Sequence, residues 1–222
     1  MTRLNLMLGG PKELLPTDWQ QAPGKWAGAD RGTLYLLQHD IQPEFSVGDY
    51  DSMTDAERKQ VAKQLTKMPV YPAEKDYTDT ELLLTMALTE YDARDIVLYA
   101  ATGGRIDHEL SNLLLATEPS YTEFASRLHI TDATNWIDFL GAGDHHVKKR
   151  AGYPYLGVVP LTGVANLTIV GAKYPLHNWS SERPFSWASN EFVDGQAVKV
   201  SFDAGIVAIV YSRDLRGQKT DN

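Results

Sequence analysis

"DIVLYAATGG", residues 95–104, runs directly into "RIDHELSNLLLATE", residues 105–118. The first stretch is an apolar, β-branched run that stops at two glycines, which reads as a strand and a turn. The second repeats apolar residues at Ile106, Leu110, Leu113 and Leu114, the spacing of one helix face. Strand, glycine loop and helix in succession form the repeating unit of an α/β layer. The same alternation extends upstream. "LNLML" (4–8) is a short apolar run ending at Gly9-Gly10, "GTLYLLQHD" (32–40) reads as a helix, and "EFSVGDYDS" (44–52) reads as a strand entering a loop. "TDAERKQVAKQLTK" (54–67) is a polar helix, and "TDTELLLTMALTEY" (78–91) a stronger one, with Thr78 and Glu81 at capping-box spacing. The first part of the chain, 1–128, is therefore expected to be an α/β domain with a mostly parallel sheet.

The pattern changes near residue 128. From "HITDATNWIDF" onward the chain offers short strand-like runs divided by Gly, Asn and Asp, with no sustained helical period. "AVKVSFDAGIVAIVYSRD" (197–214) reads as a hairpin turning at Asp203-Ala204-Gly205. Residues 129–222 are expected to form an all-β, sandwich-like domain.

Composition narrows the function. The formal net charge of −8 opposes a broad nucleic-acid surface, which needs basic residues facing phosphates. The chain has no cysteine, which excludes disulfides, thiolate metal sites and a cysteine nucleophile. It has no apolar run long enough to span a bilayer. The N-terminal "MTRLNLMLGGPKELLP" lacks the apolar core and cleavage site of a secretory signal, so a cytoplasmic location is expected. The polar "LRGQKTDN" at the end reads as frayed.

Acidic motifs recur where strands of the first part end: Asp30 in "ADRG", Asp49 and Asp51 in "GDYDS", and Asp76 and Asp79 in "KDYTDTE"; a fourth, Asp107 in "GGRIDHE", sits at a helix start. In open α/β sheets ligands bind beyond the carboxyl ends of the strands, where such loops converge. Asp49 and Asp51, two apart in an extended segment, would point to the same side and repel unless a cation lies between them. Aspartates also serve turns and helix starts, and Arg105 could form only a surface ion pair with Asp107. His145-His146 is expected to be exposed strand or loop, since neighbours in a strand face opposite ways. "GGPK" (9–12) lacks the spacing of a phosphate-binding P-loop.

The order "ADRG", "GDYDS", "KDYTDTE", "GGRIDHELSN", followed by "GAKYPL" (171–176) and "SNEF" (189–192), resembles the thiamine pyrophosphokinase family over nearly the whole chain. The resemblance implies transfer of pyrophosphate from ATP to the thiamine hydroxyl, with AMP released, by a cytoplasmic homodimer with shared active sites. It implies Mg²⁺ held by Asp49, Asp51 and Asp79. Those three, with Arg105 and Asp107, would be catalytic. ATP and its phosphates would meet Asp30, Lys75, Asp76, Thr78, Gly103, Gly104, Arg105, His108 and Asn112. Thiamine would meet Ser189 and Asn190 of the "SN" motif, Tyr174 of "KYPL", and Trp187 by its proximity in sequence. The family commonly has glycine where this chain has Arg31, so the role of the Asp30 loop stays open. So does the general base, Asp79 or Asp107. Another Mg-dependent phosphotransferase or phosphohydrolase on the same scaffold, or a non-catalytic nucleotide or metal sensor, is the alternative.

Overall fold

The structure is a computed structural model that describes residues 2–50, 53–65, 77–193 and 195–214. Over these residues the chain divides into two compact units. One comprises Met1–Leu113 and Ile130–Ala133, the other Leu114–His129 and Thr134–Asn222.

The first unit contains β1 (Arg3–Met7), β2 (Lys25–Ala29), α1 (Arg31–Gln38), β3 (Ser46–Val47), α2 (Asp55–Gln64), α3 (Asp79–Thr89) and β4 (Asp95–Tyr99), and α4 (Ile106–Leu114) closes it. Its strands run β4-β1-β2-β3. Each pair is parallel, with Met7 level with both Gly28 and Tyr99, and Ala29 level with Val47. The four strands thus end at one common edge. Leu4, Leu6, Ala27, Ile96 and Val97 are buried along them, as a sheet covered on both faces requires. The helices begin where the sequence supplies caps. Thr78 accepts the Glu81 N–H and Glu81 accepts the Thr78 N–H, and Thr54 and Glu57 repeat this box at α2.

Helix α4 forms where its apolar period places it, but that period does not face the core. Ile106, Leu110 and Leu114 are exposed, and the buried residue is Asn112, whose amide donates to the Ala101 carbonyl at 2.8 Å. The apolar period marks a helix, but it does not mark the face that is covered.

The second unit takes in most of β5 to β13. β5 (Leu128–Thr131) lies at the division, followed by β6 (Asn135–Leu140), β7 (Gly143–Val147), β8 (Tyr155–Pro160), β9 (Val164–Val170), β10 (Leu176–Ser181), β11 (Trp187–Glu191), β12 (Val198–Phe202) and β13 (Val207–Ser212). Strands β11-β8-β13-β6 lie side by side, and β10-β9-β12-β7 form a separate sheet. All these pairs are antiparallel, so the strands of the protein as a whole are mixed in direction. The two layers enclose Leu156, Val158, Leu167, Ile169, Val200, Phe202, Val207 and Ile209.

The expected hairpin at 203–205 is not one. β12 pairs with β7 and β9, whereas β13 pairs with β6 and β8, so the chain crosses from one sheet to the other. Alternating apolar residues on two successive strands fit either arrangement, because both turn their apolar faces to one core. Among the described residues no helix is long and apolar enough to cross a membrane.

Candidate active site

At the common edge of the parallel strands, Asp30 follows β2 directly. Its N–H donates to the Val47 carbonyl at 3.0 Å, and its own carbonyl accepts the Thr33 N–H at 2.9 Å. Its carboxylate Oδ1 accepts the Tyr50 N–H at 3.0 Å. The carboxylate lies against Gly48, which follows β3 with φ +130. A Cβ there would fall 1.9 Å from Asp30 Oδ1. The glycine of "GDYDS" thus makes room for the aspartate of "ADRG".

Asp79, at the start of α3, is hydrogen-bonded to Asp30, and Asp49 is close enough for its charge to act on the same group. Burial, then the hydrogen bond and charge of Asp79, then the charge of Asp49, push the Asp30 carboxyl up to about 7, against the pull of the Tyr50 N–H. Its ordinary value is 3.8. Between those values the folded chain binds a proton that the unfolded chain has released. The stabilisation is complete below about pH 4 and is lost as the pH rises through about 7. Thermal melts of the metal-free protein should show this loss, and Asp30→Asn, which keeps an acceptor for the Tyr50 N–H, should flatten it.

The reading of Asp49-Tyr50-Asp51 as extended is corrected. Tyr50 has φ +57, a left-handed turn, so the same-side rule for strands does not hold there. Asp51, Lys75 and Asp76 lie outside the described residues. Among the described residues no three acidic or histidine side chains close round a metal-sized centre.

The glycine loop after β4 is braced from three directions. Thr102 Oγ1 donates to buried Asp132 at 2.8 Å, Gly103 N–H to Glu109 at 3.0 Å, and Gly10 N–H to the Ala100 carbonyl at 3.0 Å. Gly103, at φ +75, would bring a Cβ within 2.3 Å of Leu14. Arg105 and Asp107 form an exposed ion pair that includes a 3.2 Å bond from Nε to Oδ1. The Arg105 hydrogen bond draws the Asp107 carboxyl below the usual range. His108 and Thr78 are exposed, and Asn112 faces the loop. Asp132, buried, and Glu109, half-buried, carry no sequence signal, since carboxylates in turns and helices look alike whatever they brace.

In the second unit the two C-terminal motifs meet. The Asn190 side chain accepts the N–H groups of Tyr174 and Glu191 at 3.0 and 2.9 Å and donates to the Tyr174 carbonyl at 2.8 Å. Tyr174 itself is exposed. Asn190→Ala would strand these backbone groups and should cost about 2–3 kcal/mol in denaturant unfolding. Trp187 lies level with Val158 and packs against the sandwich core beside Trp179 and Phe185, at ring distances of 5.4 and 4.8 Å. Its indole nitrogen is buried and meets no acceptor among the described residues. Strand β11 is irregular between Trp187 and Asn190, and Ser189 has φ +60. There Ser189 lines an open groove of about 530 Å³ with Tyr155, Gly157, Val210, Ser212 and Asp214. Tyr155 donates to Asp214 at 3.1 Å. Of the four expected vitamin contacts, Ser189 lines this groove. Tyr155 and Asp214, which line it too, carry no sequence signal, because nothing local in sequence sets them beside Ser189.

A glycine-lined acidic edge on an α/β unit and a grooved β-sandwich are thus carried in one chain. The family described as thiamin pyrophosphokinase, catalytic domain, matches residues 17–128, and thiamin pyrophosphokinase, vitamin B1 binding domain, matches residues 144–207. A thiamine pyrophosphokinase of Bacillus subtilis is 35% identical over 218 residues, covering 96% of this chain and all of that one. A crystal structure of a protein from Lactobacillus plantarum shares 40% identity with a TM-score of 0.89. A thiamin pyrophosphokinase family protein from Enterococcus faecalis shares 38% with a TM-score of 0.88. Each alignment covers 96% of this chain and all of the other. The chain belongs to the thiamin pyrophosphokinase family and is an enzyme.

Proposed function

We propose that the chain transfers the terminal pyrophosphoryl group of ATP to the hydroxyl of thiamine. The hydroxyl oxygen bonds to the β-phosphorus, the bond from that phosphorus to the α–β bridging oxygen breaks, AMP leaves, and the hydroxyl proton passes to solvent or a site carboxylate. The observation that carries this reading is the meeting of Asp30, Asp49 and Asp79 at the carboxyl edge of the sheet. The Asp30 carboxyl, raised first by burial and then by the hydrogen bond and charge of Asp79 and the charge of Asp49, sits where acidic groups crowd together. Oxygen donors of this kind suit a hard cation.

Asp49, Asp51 and Asp79 would hold Mg²⁺, with Asp30 orienting Asp79 through their hydrogen bond. When bound, Mg²⁺ would supply charge neutralisation to the phosphates. Lys75 and Arg105 would meet phosphate oxygens, Arg105 by exchanging its exposed Asp107 partner for the nucleotide. Gly103 and Gly104 would let backbone approach the ligand. The Ser189 groove would take the vitamin, with Tyr155 offering an aromatic face and Asp214 a counter-charge to the cationic thiazolium.

Incubation with ATP, Mg²⁺ and thiamine should give one thiamine diphosphate per AMP, identified by mass. Release of ADP with thiamine monophosphate would sink the reading. We also infer a cytoplasmic homodimer with shared sites, which sedimentation checks first. Co-expressing an Asp79→Asn chain with one altered at Ser189 and Asp214 checks the sharing. Half of randomly formed dimers are mixed, each with one intact site, so roughly a quarter of wild-type activity should return.

A further inference from the structure

We propose that Tyr50 is a positioning residue that fixes Asp30 and Asp49 relative to each other. This rests on the reading of the acidic edge as the metal and phosphate site. Among the described residues, five of the eight non-glycine residues with positive φ are Asp or Asn, which tolerate it, and Tyr50, Ala100 and Ser189 are the other three. A bulky aromatic in that conformation is costly and persists only where its surroundings over-determine it. Those surroundings are on hand. The ring is fully buried with Leu34, Leu37, Met53 and Val61. The hydroxyl bonds to Ser46 Oγ at 2.8 Å, and Ser46 Oγ bonds in turn to Thr33 Oγ1. The backbone N–H goes to Asp30 Oδ1, and the carbonyl accepts both the Met53 N–H at 3.2 Å and Arg58 Nη2 at 3.0 Å.

Packing alone needs none of these hydroxyls. A phenylalanine would fill the same space, and a buried hydroxyl chain gains little net stability over an apolar one. What the chain does is link elements. Thr33 is three residues past Asp30 on α1, and Ser46 is three residues before Asp49 on β3. Tyr50 closes the circuit by its N–H on the Asp30 carboxylate itself. The circuit therefore sets the spacing of two carboxylates carried by different elements, and Arg58 fastens it to α2. Helix α2 is itself tied to α1 by Arg31 on Glu57 at 3.4 Å.

The test is Mn²⁺ binding by electron paramagnetic resonance on the full chain without nucleotide, together with kcat, the KM for thiamine, and Tm. Tyr50→Phe and Ser46→Ala should each weaken Mn²⁺ binding by roughly five-fold, the worth of one hydrogen bond. Both should lower kcat and leave the thiamine KM unchanged, and together they should do no more than either alone. Arg58→Ala, exposed on α2 and outside the core, should act in the same direction even if Tyr50→Phe proves poorly folded. Asp49→Asn is run beside them. If Asp49→Asn weakens Mn²⁺ binding but Tyr50→Phe, Ser46→Ala and Arg58→Ala lower only Tm, Tyr50 is structural and the proposal is overturned. If Asp49→Asn leaves Mn²⁺ binding unchanged, the metal reading fails and this proposal falls with it.

Discussion

Asp49→Asn and Asp79→Asn are each expected to lower turnover on the order of 10²- to 10³-fold, the size of losing one electrostatic group at a phosphoryl-transfer centre. The ligand-free protein should be as stable as the wild type or more so. Both outcomes have one cause. At the edge of the sheet the carboxylates repel each other, and Asp30, raised to about 7 first by burial, is raised further by Asp79 and Asp49. Removing one charge relieves that repulsion in the free protein and weakens the grip on cation and phosphate in the working one. The variants should also need more Mg²⁺ for half-maximal rate. A second readout ties the stability effect to its source. Asp79 raises the Asp30 carboxyl through both a hydrogen bond and its charge. In Asp79→Asn the fall of Tm between about pH 4 and pH 7 should therefore be smaller than in the wild type. A variant that unfolds readily yet keeps full specific activity in its folded fraction would mark that aspartate as structural.

Much of this site was readable before the fold was known, and the reason is local. A strand that ends in Gly-Asp, a capping box, and a strand ending in Gly-Gly each announce themselves within a few residues. A parallel sheet then brings strand ends to one edge whatever the details. Asp30, Asp49 and Asp79 could be grouped on that basis. What could not be read was anything set by the partner across space. The apolar stripe of Ile106, Leu110 and Leu114 has the period of a core face but is exposed, while the inward face is held by the Asn112 amide. The apparent hairpin at 203–205 is a crossing between sheets, because its alternation suits both. Tyr50 carries no sequence signal of its own between the two aspartates. Its left-handed backbone and its hydroxyl partners, residues 33 and 46, leave no local mark. Nor does the sequence show that the polar atoms of Asn190 hold Tyr174 and Glu191.

Gly48→Ala should nearly abolish activity and cost about 2–4 kcal/mol of stability, combining backbone strain with a steric clash. The two penalties are separable. The first comes from φ +130, which a side chain rarely adopts, and the second from the contact its Cβ would make with Asp30, 1.9 Å from Oδ1 and 2.7 Å from Cγ. Asp30 cannot swing aside freely. Its Oδ1 holds the Tyr50 N–H, and it is hydrogen-bonded to Asp79. Relief of the clash must break one of those bonds or shift the end of β3, and either displaces Asp49. In a double-mutant cycle with Asp30→Ala, the steric part should vanish and the φ part should remain. The stability losses would then sum to less than the two single changes. Gly141→Ala, where an added Cβ meets nothing within 4 Å, is the control for a glycine without such a neighbour. Additive losses in the cycle, or a Gly48→Ala enzyme with near-normal turnover, would mean that Asp30 is not braced against this glycine in the working protein.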